Sequence, residues 1–185
     1  MNRRSLVVPP RRWLATAVTV VALLASTAQG QKKGDPVSAA NAKSLSLVGN
    51  PAPEFSLRGL KEETFDLADR RGDIVVLAFW ATWCPPCRSE MPGFAKLQKD
   101  LAPGGVAVVP IANDDAAKAL DFLTRKKLDV WSLVDSGNTV SKLYGANALP
   151  KTFILDRDGI VVKAIVGKVS EADVLAAIQI ARQPR

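Results

Sequence analysis

The chain has 185 residues, of which 48% are hydrophobic, which is enough for one domain with a sizeable core and an appended segment. Its formal net charge is +7, but four arginines lie within the first 30 residues, and without them the surplus is only three. This balance does not indicate nucleic-acid binding, because no basic stripe is interleaved with aromatic residues. The two cysteines and the absence of histidine exclude histidine-dependent hydrolases and a zinc site built from one chain.

The N-terminus has the layout of a secretory signal peptide. Residues 1–12 are basic, residues 13–28 are uncharged and mostly apolar, and small residues follow near position 30. We therefore predict that residues 1–30 are a signal peptide and that the protein works in the periplasm or elsewhere outside the cytoplasm. The alternative is an inner-membrane anchor over residues 13–28. A helix of that length spans about 24 Å, less than the roughly 30 Å of a bilayer's hydrocarbon core.

A polar stretch separates this segment from the domain that follows. Residues 31–46 begin with a glutamine, two lysines, a glycine, an aspartate and a proline, a composition typical of a flexible linker. A small hairpin is predicted next, within residues 53–67. The continuous apolar run over residues 74–80 then predicts a strand that is buried on both faces.

A helix and a second buried strand are predicted after the cysteines. Phe94, Leu97 and Leu101 recur at helical spacing, and a Pro-Gly-Gly sequence ends the pattern. Residues 106–112 form another apolar run and predict a second buried strand.

The next helix is predicted to start at Asp114 as the N-cap, with Ala116, Leu120 and Leu123 facing inward. A short strand at residues 131–134 and a brief helix at residues 140–144 follow.

The C-terminal part predicts a hairpin and a helix. Residues 153–155 and 160–166 read as paired strands joined by an Asp-Arg-Asp-Gly turn. Ser170 is predicted to cap the last helix, with Asp173 at the capping-box position. The alternation of strands and helices, closed by a hairpin and a helix, predicts an α/β fold with a mixed central sheet.

The two cysteines lie where chemistry is expected in such a fold. Cys84 and Cys87 directly follow a buried strand, so they should lie at the carboxyl edge of the sheet. Pro85 and Pro86 suit the first turn of a helix, whose dipole would favour a thiolate at Cys84. We predict a redox-active pair in which Cys84 attacks and Cys87 resolves. The alternative is an inert disulfide, although so short a loop would constrain the unfolded chain little.

Three segments carry a resemblance to a known family. Residues 79–92, which include Cys-Pro-Pro-Cys, resemble the active-site segment of the TlpA/ResA-like branch of the thioredoxin superfamily. Residues 49–57 resemble the N-terminal segment of that branch, and residues 148–156 resemble its cis-proline segment. The resemblance implies a thioredoxin-like domain over residues 47–185. It also implies a thioredoxin fold with an N-terminal hairpin and a strand–helix insertion within residues 114–144.

The resemblance also implies roles for individual residues. Cys84 would be the exposed nucleophile and Cys87 the resolving thiol. Pro150 would be a cis-proline that faces the cysteines, and Leu149 would offer backbone hydrogen bonds to an extended substrate segment.

The residues around the cysteines complete the predicted substrate site. Trp83 is expected at the surface, where it would cover Cys84 and touch substrate together with Pro85 and Pro86. Trp80, at the end of the strand, is expected in the core.

One departure from thioredoxin concerns proton transfer. Thioredoxin carries a buried aspartate six residues before its first cysteine, and here that position is Ala78. The resemblance implies instead that Glu90 is catalytic. Residues three apart share a helix face, so Glu90 would lie near Cys87, with a pKa raised by partial burial. The alternative is a solvent-facing or dipole-compensating glutamate.

The resemblance implies an extracytoplasmic thiol–disulfide oxidoreductase, and more specifically a reductase. Its clients would be exported proteins that contain cysteines, such as apocytochrome c. A membrane thiol reductant of the DsbD or CcdA type would reduce it again. The protein is expected to be a monomer and to need no cofactor, because the cysteine pair holds the two electrons.

Two alternatives stay open at this point. The first is a peroxidase of the peroxiredoxin type, in which a Thr or Ser usually stands three residues before the nucleophile. Here that residue is Ala81, and Thr82 is only two residues ahead. The second is a non-enzymatic thiol module that binds Cu(I) through Cys84 and Cys87.

Overall fold

The computed structural model describes residues 35–183. The signal peptide or membrane anchor predicted within residues 1–30 lies outside the described residues, as do residues 31–34 of the predicted linker. Between residues 35 and 183, no helix has the length and apolar character that a membrane span requires.

Most of the segment predicted as a linker is a helix, α1 (Pro36–Ser46). Asp35 caps its N-terminus by accepting from the Ser38 N–H at 3.2 Å. The Ser44 hydroxyl is fully buried and donates to the Tyr144 carbonyl at 2.9 Å. The prediction of a flexible linker is therefore wrong for residues 36–46, because small side chains on one face of this polar segment dock on the domain.

The predicted N-terminal hairpin is confirmed. Strands β1 (Ser56–Arg58) and β2 (Thr64–Asp66) pair in antiparallel fashion as a separate two-stranded sheet.

A mixed five-stranded sheet forms the centre of the domain, as predicted. In chain order its strands are β3 (Ile74–Trp80), β4 (Val106–Ala112), β5 (Leu133–Val134), β6 (Lys151–Leu155) and β7 (Val161–Val166). The spatial order is β5-β4-β3-β6-β7. The neighbours β3, β4 and β5 run parallel, whereas β6 pairs antiparallel with both β3 and β7.

The middle strand, β3, carries the site at its carboxyl end. All seven of its residues are buried, which is why they form the continuous apolar run that predicted a fully covered strand. Alternate residues face opposite sides of the sheet and belong to two apolar clusters. Trp80 lies in one cluster and Phe79 in the other.

Four α-helices follow α1 within the part of the chain that the structure describes. They are α2 (Pro85–Leu101), α3 (Ala116–Arg125), α4 (Thr139–Leu143) and α5 (Glu171–Ala181). Helices α2 and α5 bury apolar residues in the same cluster as Trp80. The predicted capping box at the start of α5 is confirmed, because Ser170 and Asp173 exchange side-chain-to-backbone hydrogen bonds.

The start of α3 differs from its prediction by one residue. Asp115, not Asp114, is the N-cap, and its carboxylate accepts from the N–H groups of Ala117 and Lys118. The Asp114 carboxylate is occupied by Thr82. Leu123 is buried as predicted, but Ala116 and Leu120 are exposed, because the helix buries Ala119 and Phe122 beside Leu123.

The side chain of Gln98, on α2, lies between two chain segments beside β4. Strand β5 pairs with β4 only at Ile111 and Ala112. Further back along β4, the Gln98 side-chain amide donates to the carbonyls of Val108 and Trp131, both at 2.8 Å. Its oxygen accepts from the Trp131 N–H at 2.7 Å. One side chain thus connects β4 to the segment that leads into β5.

Candidate active site

The two cysteines form a disulfide at the junction of β3 and α2. Their Cα atoms are 5.3 Å apart. Cys84 is the N-cap of α2, and its carbonyl accepts from the Arg88 N–H at 3.1 Å. Cys87 lies within the first turn of the helix. The predicted position of the pair, after a buried strand and at the start of a helix, is therefore confirmed.

The first turn of α2 presents few amide donors to the Cys84 sulfur. Pro85 and Pro86 occupy its first two positions and have no N–H group. The first N–H available is that of Cys87, which points at the Cys84 sulfur over 3.4 Å. This donor and the positive end of the helix dipole favour a negatively charged sulfur at Cys84 once the disulfide opens.

Exposure differs between the predicted substrate contacts and the sulfurs. Cys87 is fully buried, and Cys84 is only 4% exposed, so the prediction of an exposed nucleophile is wrong for the disulfide form. The reason is that Cys84 bonds to Cys87 and shares its apolar cluster. Trp83 is 62% exposed, as expected of a surface contact beside Cys84. Pro85 is exposed and Pro86 is half-buried.

Trp80 belongs to the core, as predicted. It is 1% exposed, and its indole N–H donates to the Ser132 hydroxyl at 3.2 Å. Its ring packs against Phe122 of α3, with ring centroids 5.6 Å apart.

The segment that resembles a cis-proline loop precedes β6. The peptide bond between Leu149 and Pro150 is cis. Lys151, the next residue, pairs with Phe79 near the end of β3, so the loop lies at the sheet edge that leads to the cysteines. Leu149 is half-buried, and no hydrogen bond between residues 35 and 183 uses its backbone N–H or carbonyl. Those groups therefore have no partner among the described residues, and their pairing with an extended peptide, which the resemblance implied, stays a prediction.

Glu90 is buried on the inner face of α2, with 7% of its surface exposed. Its carboxylate accepts from the Val169 N–H at 2.5 Å. Burial raises the pKa of Glu90, while that hydrogen bond and the charge of Lys168 act in the opposite direction. The carboxyl group lines a cavity of about 290 Å³ between α2 and the start of α5. The solvent-facing alternative is therefore wrong, whereas the catalytic role stays a prediction.

Asp114, which was predicted to be a helix N-cap, is instead a neighbour of the site. Its carboxylate accepts from both the N–H and the hydroxyl of Thr82, at 2.9 and 2.5 Å. Partial burial opposes ionisation, but these hydrogen bonds, that from the Asp115 N–H and the charge of Lys118 together lower the pKa of Asp114. Its place just after a parallel strand was the signal that could have identified it, because such strands deliver side chains to this edge.

Lys151 is a second residue that the sequence analysis missed. It is 2% exposed, and its ammonium group donates to the carbonyl of Ala148. Burial lowers the pKa of its amine. A lysine at the start of a strand that continues as Thr-Phe-Ile-Leu was the only signal in the sequence.

Comparison with known proteins agrees with this geometry. Residues 48–164 match the sequence model of the AhpC/TSA family. The thiol-disulfide oxidoreductase ResA of Bacillus anthracis is 34% identical over 122 residues, which cover 65% of this chain and 70% of that protein. The thioredoxin-like protein YneN of Bacillus subtilis (strain 168) is 37% identical over 130 residues, which cover 68% of this chain and 75% of that protein.

Solved structures show the same fold. A thiol:disulfide interchange protein of the thioredoxin family from Chlorobium tepidum TLS superposes with a TM-score of 0.60 at 30% identity, covering 71% of this chain and 94% of that one. A secreted thiol-disulfide isomerase from Corynebacterium glutamicum gives a TM-score of 0.63 at 29% identity, covering 71% and 86%. The resemblance to ResA-like thioredoxins is thus confirmed, and the chain belongs to the AhpC/TSA family with a thioredoxin-like fold.

Proposed function

We propose that the protein is a thiol–disulfide oxidoreductase of the ResA/DsbE type that reduces disulfides in exported proteins. The observation that carries the proposal is the disulfide between Cys84, the N-cap of α2, and the buried Cys87 one turn further on. The exposed Trp83, next to Cys84 in the chain, offers a client an apolar surface. Leu149 packs against the apolar cluster that contains both cysteines, and its backbone makes no hydrogen bond among the described residues, so it offers a pairing edge.

The reaction begins from the dithiol form. The Cys84 thiolate, favoured by the Cys87 N–H and the helix dipole, attacks one sulfur of a client disulfide. The client S–S bond breaks and a mixed disulfide forms between Cys84 and the client. The sulfur that leaves takes up a proton and becomes the first client thiol.

The second step regenerates the disulfide seen in the structure. Cys87 loses its proton and attacks the Cys84 sulfur of the mixed disulfide, and the second client sulfur leaves as a thiolate. Two electrons have then passed from the cysteine pair to the client. Glu90, buried three residues beyond Cys87 on α2, is the carboxylate that accepts the Cys87 proton.

Client recognition uses the surface around Cys84. Trp83, Pro85 and Pro86 present the apolar contact, and the Leu149–Pro150 loop presents the backbone edge to which an extended client segment pairs. Recognition of this kind depends little on client sequence, so it suits a reductase that serves several exported proteins. Apocytochrome c is one such client.

The proposed location is outside the cytoplasm. The basic and apolar N-terminal segment has the layout of an export signal, and one structural relative is described as secreted. Since each turnover leaves the pair oxidised, a donor must reduce it again. A membrane thiol reductant of the DsbD or CcdA type is the proposed partner, and the protein works as a monomer without a prosthetic group.

The peroxidase alternative is not favoured. Thr82 stands two residues before Cys84, and its hydroxyl already donates to the carboxylate of Asp114. The hydroxyl that would have to assist the reaction of the sulfur with peroxide is therefore already engaged by Asp114.

The test is reduction of a disulfide-bridged peptide by the pre-reduced protein, together with the midpoint potential of the cysteine pair by thiol equilibration. We expect a reducing potential and stoichiometric peptide reduction. The Cys87→Ser variant should accumulate the mixed disulfide, and the Cys84→Ser variant should be inactive. A strongly oxidising potential would overturn the reductase assignment, and peroxide consumption in place of disulfide reduction would favour the peroxidase.

A further inference from the structure

Lys151 is buried at the start of β6 without an acidic partner. It is 2% exposed, and no salt bridge found within residues 35–183 includes it. Taking an ammonium group out of water is costly unless hydrogen bonds replace the lost solvation. Apolar packing alone therefore does not explain why a lysine is found at this buried position.

Among the described residues its amine makes one hydrogen bond, and that bond is local. The ammonium group donates to the carbonyl of Ala148, three residues earlier in the chain. The Lys151 side chain therefore links the last residue of the loop Ala148–Lys151 to the first. The two residues between them are Leu149 and Pro150.

The loop Ala148–Lys151 lies at the sheet edge that leads to the cysteines. Lys151 pairs with Phe79 of β3, the strand whose end leads to Cys84. Leu149 packs against the apolar cluster that contains both cysteines. The Leu149 N–H and carbonyl make no hydrogen bond among the described residues. The direction in which these two groups point therefore depends on the conformation of the loop Ala148–Lys151.

We propose that Lys151 is a positioning residue for client binding. By holding the Ala148 carbonyl, it keeps the backbone of Leu149 turned toward the space where an extended client segment pairs. This inference rests on the proposed function and deepens it. Lys151 itself touches neither the client nor the sulfurs, since its amine is engaged at Ala148.

The test compares two disulfide substrates, because only one of them has a backbone. A disulfide-bridged peptide can pair with Leu149, whereas hydroxyethyl disulfide cannot. In the Lys151→Met variant we expect the KM for the peptide to rise about tenfold, the effect of one lost hydrogen bond to a charged group. Its kcat for the peptide and its rate with hydroxyethyl disulfide should match those of the parent protein.

The matched control is Lys163→Met. Lys163 also lies on a strand of the same sheet, but it is exposed and pairs across from Ile154, away from the loop. The Lys163→Met substitution removes the same charge and should leave the kinetics with both substrates unchanged. An equal loss of rate with the peptide and with hydroxyethyl disulfide in Lys151→Met would show a merely structural role. An unchanged KM for the peptide would also overturn the proposal.

A second measurement keeps the test decisive if Lys151→Met does not fold. The Cys87→Ser variant, with its native lysine, is trapped as a mixed disulfide with the peptide, and amide hydrogen exchange is followed by NMR. The Leu149 N–H should exchange at least about tenfold more slowly in the trapped complex than in the free protein, as expected of one new hydrogen bond. Unchanged exchange overturns the inference. Failure of the parent to reduce either substrate contradicts the proposed function itself.

Discussion

The carboxylate of Glu90 accepts a hydrogen bond from the backbone N–H of Val169, 79 residues further along the chain. This contact joins the active-site helix to the loop that leads into α5. It holds the buried acid against Val169, a member of the apolar cluster that also contains Cys87. Because burial raises the pKa of Glu90, this carboxyl group titrates at a higher pH than an ordinary glutamate does.

The first prediction concerns the pH dependence of turnover. If Glu90 accepts the Cys87 proton, the resolving step needs its ionised form, and the rate should rise with pH through the raised pKa of Glu90. Glu90→Gln should remove that rise and slow turnover by at least about tenfold. The measurement is single-turnover peptide reduction as a function of pH.

The control for this prediction is Glu171→Gln. Glu171 lines the same cavity but is exposed and paired with Lys96. Its variant should keep the parent profile. Superimposable profiles for Glu90→Gln and the parent would show that Glu90 does not carry the proton.

The second prediction separates the two tryptophans that flank the site. Trp83 is 62% exposed, so Trp83→Ala should change the free energy of unfolding by no more than about 0.5 kcal/mol. It should raise the KM for a peptide disulfide by at least about fivefold. Trp80 is buried and bonded to Ser132, so Trp80→Ala should cost about 3–5 kcal/mol. Urea denaturation and steady-state kinetics test both, and equal destabilisation by the two variants would contradict the prediction.

The third prediction follows from the two prolines in the first turn of α2. Pro86→Ala restores an N–H at the second helical position, where it can turn toward the Cys84 sulfur. The thiolate should then form at lower pH, and the midpoint potential should become roughly 30 mV more oxidising. Pro103→Ala, in an exposed turn after α2, is the control and should leave the potential unchanged.

The fourth prediction concerns the carboxylate that holds the loop before Cys84. Asp114→Asn weakens both hydrogen bonds from Thr82 and should cost roughly 1–3 kcal/mol of unfolding free energy at neutral pH. The pKa of Asp114 is lowered in the folded protein, so its stabilisation is present above the ordinary value of 3.8. It is lost as the pH falls through the lowered pKa.

The difference between parent and variant should therefore shrink in acid, which urea denaturation at several pH values measures. Asp129→Asn is the control, because Asp129 is exposed and lies beyond the end of α3. A difference that grew toward acid pH would contradict this account of Asp114.

The fifth prediction tests how α1 is attached. Gly145 has φ +65°, and a Cβ there would meet the Ala40 carbonyl of α1 at 2.4 Å. Gly49 has a similar φ of +84°, but nothing lies within 4 Å of its Cβ position. Both alanine variants bear the cost of the left-handed backbone, so Gly145→Ala should be less stable than Gly49→Ala by roughly 1–3 kcal/mol. Equal thermal stability of the two variants would mean that α1 does not pack closely against Gly145.

The elements that the sequence predicted well are those with a local signature. Strands β3 and β4 were bounded correctly because a buried parallel strand is a continuous apolar run. The start of α5 was identified by Ser170 and Asp173, which lie three residues apart and each accept a hydrogen bond from the other's backbone N–H.

The elements that were missed depend on partners far along the chain. Helix α1 is too polar to show a clear apolar stripe, and it is attached through Ser44 to a carbonyl 100 residues away. Asp114 looked like an N-cap because its actual partner, Thr82, lies 32 residues earlier. The position of Lys151 at the start of the buried strand β6 gave no indication of the carbonyl that its amine would reach.

The side chain of Gln98 has a consequence for the behaviour of the protein in solution. Where a sheet ends, unpaired backbone groups invite a strand from another molecule, and proteins usually block such edges with charges, bulges or covering segments. Here the amide of Gln98 binds the Val108 carbonyl and both backbone groups of Trp131. Because those groups are already engaged, this margin of the sheet offers little to a foreign strand, and self-association through it is discouraged.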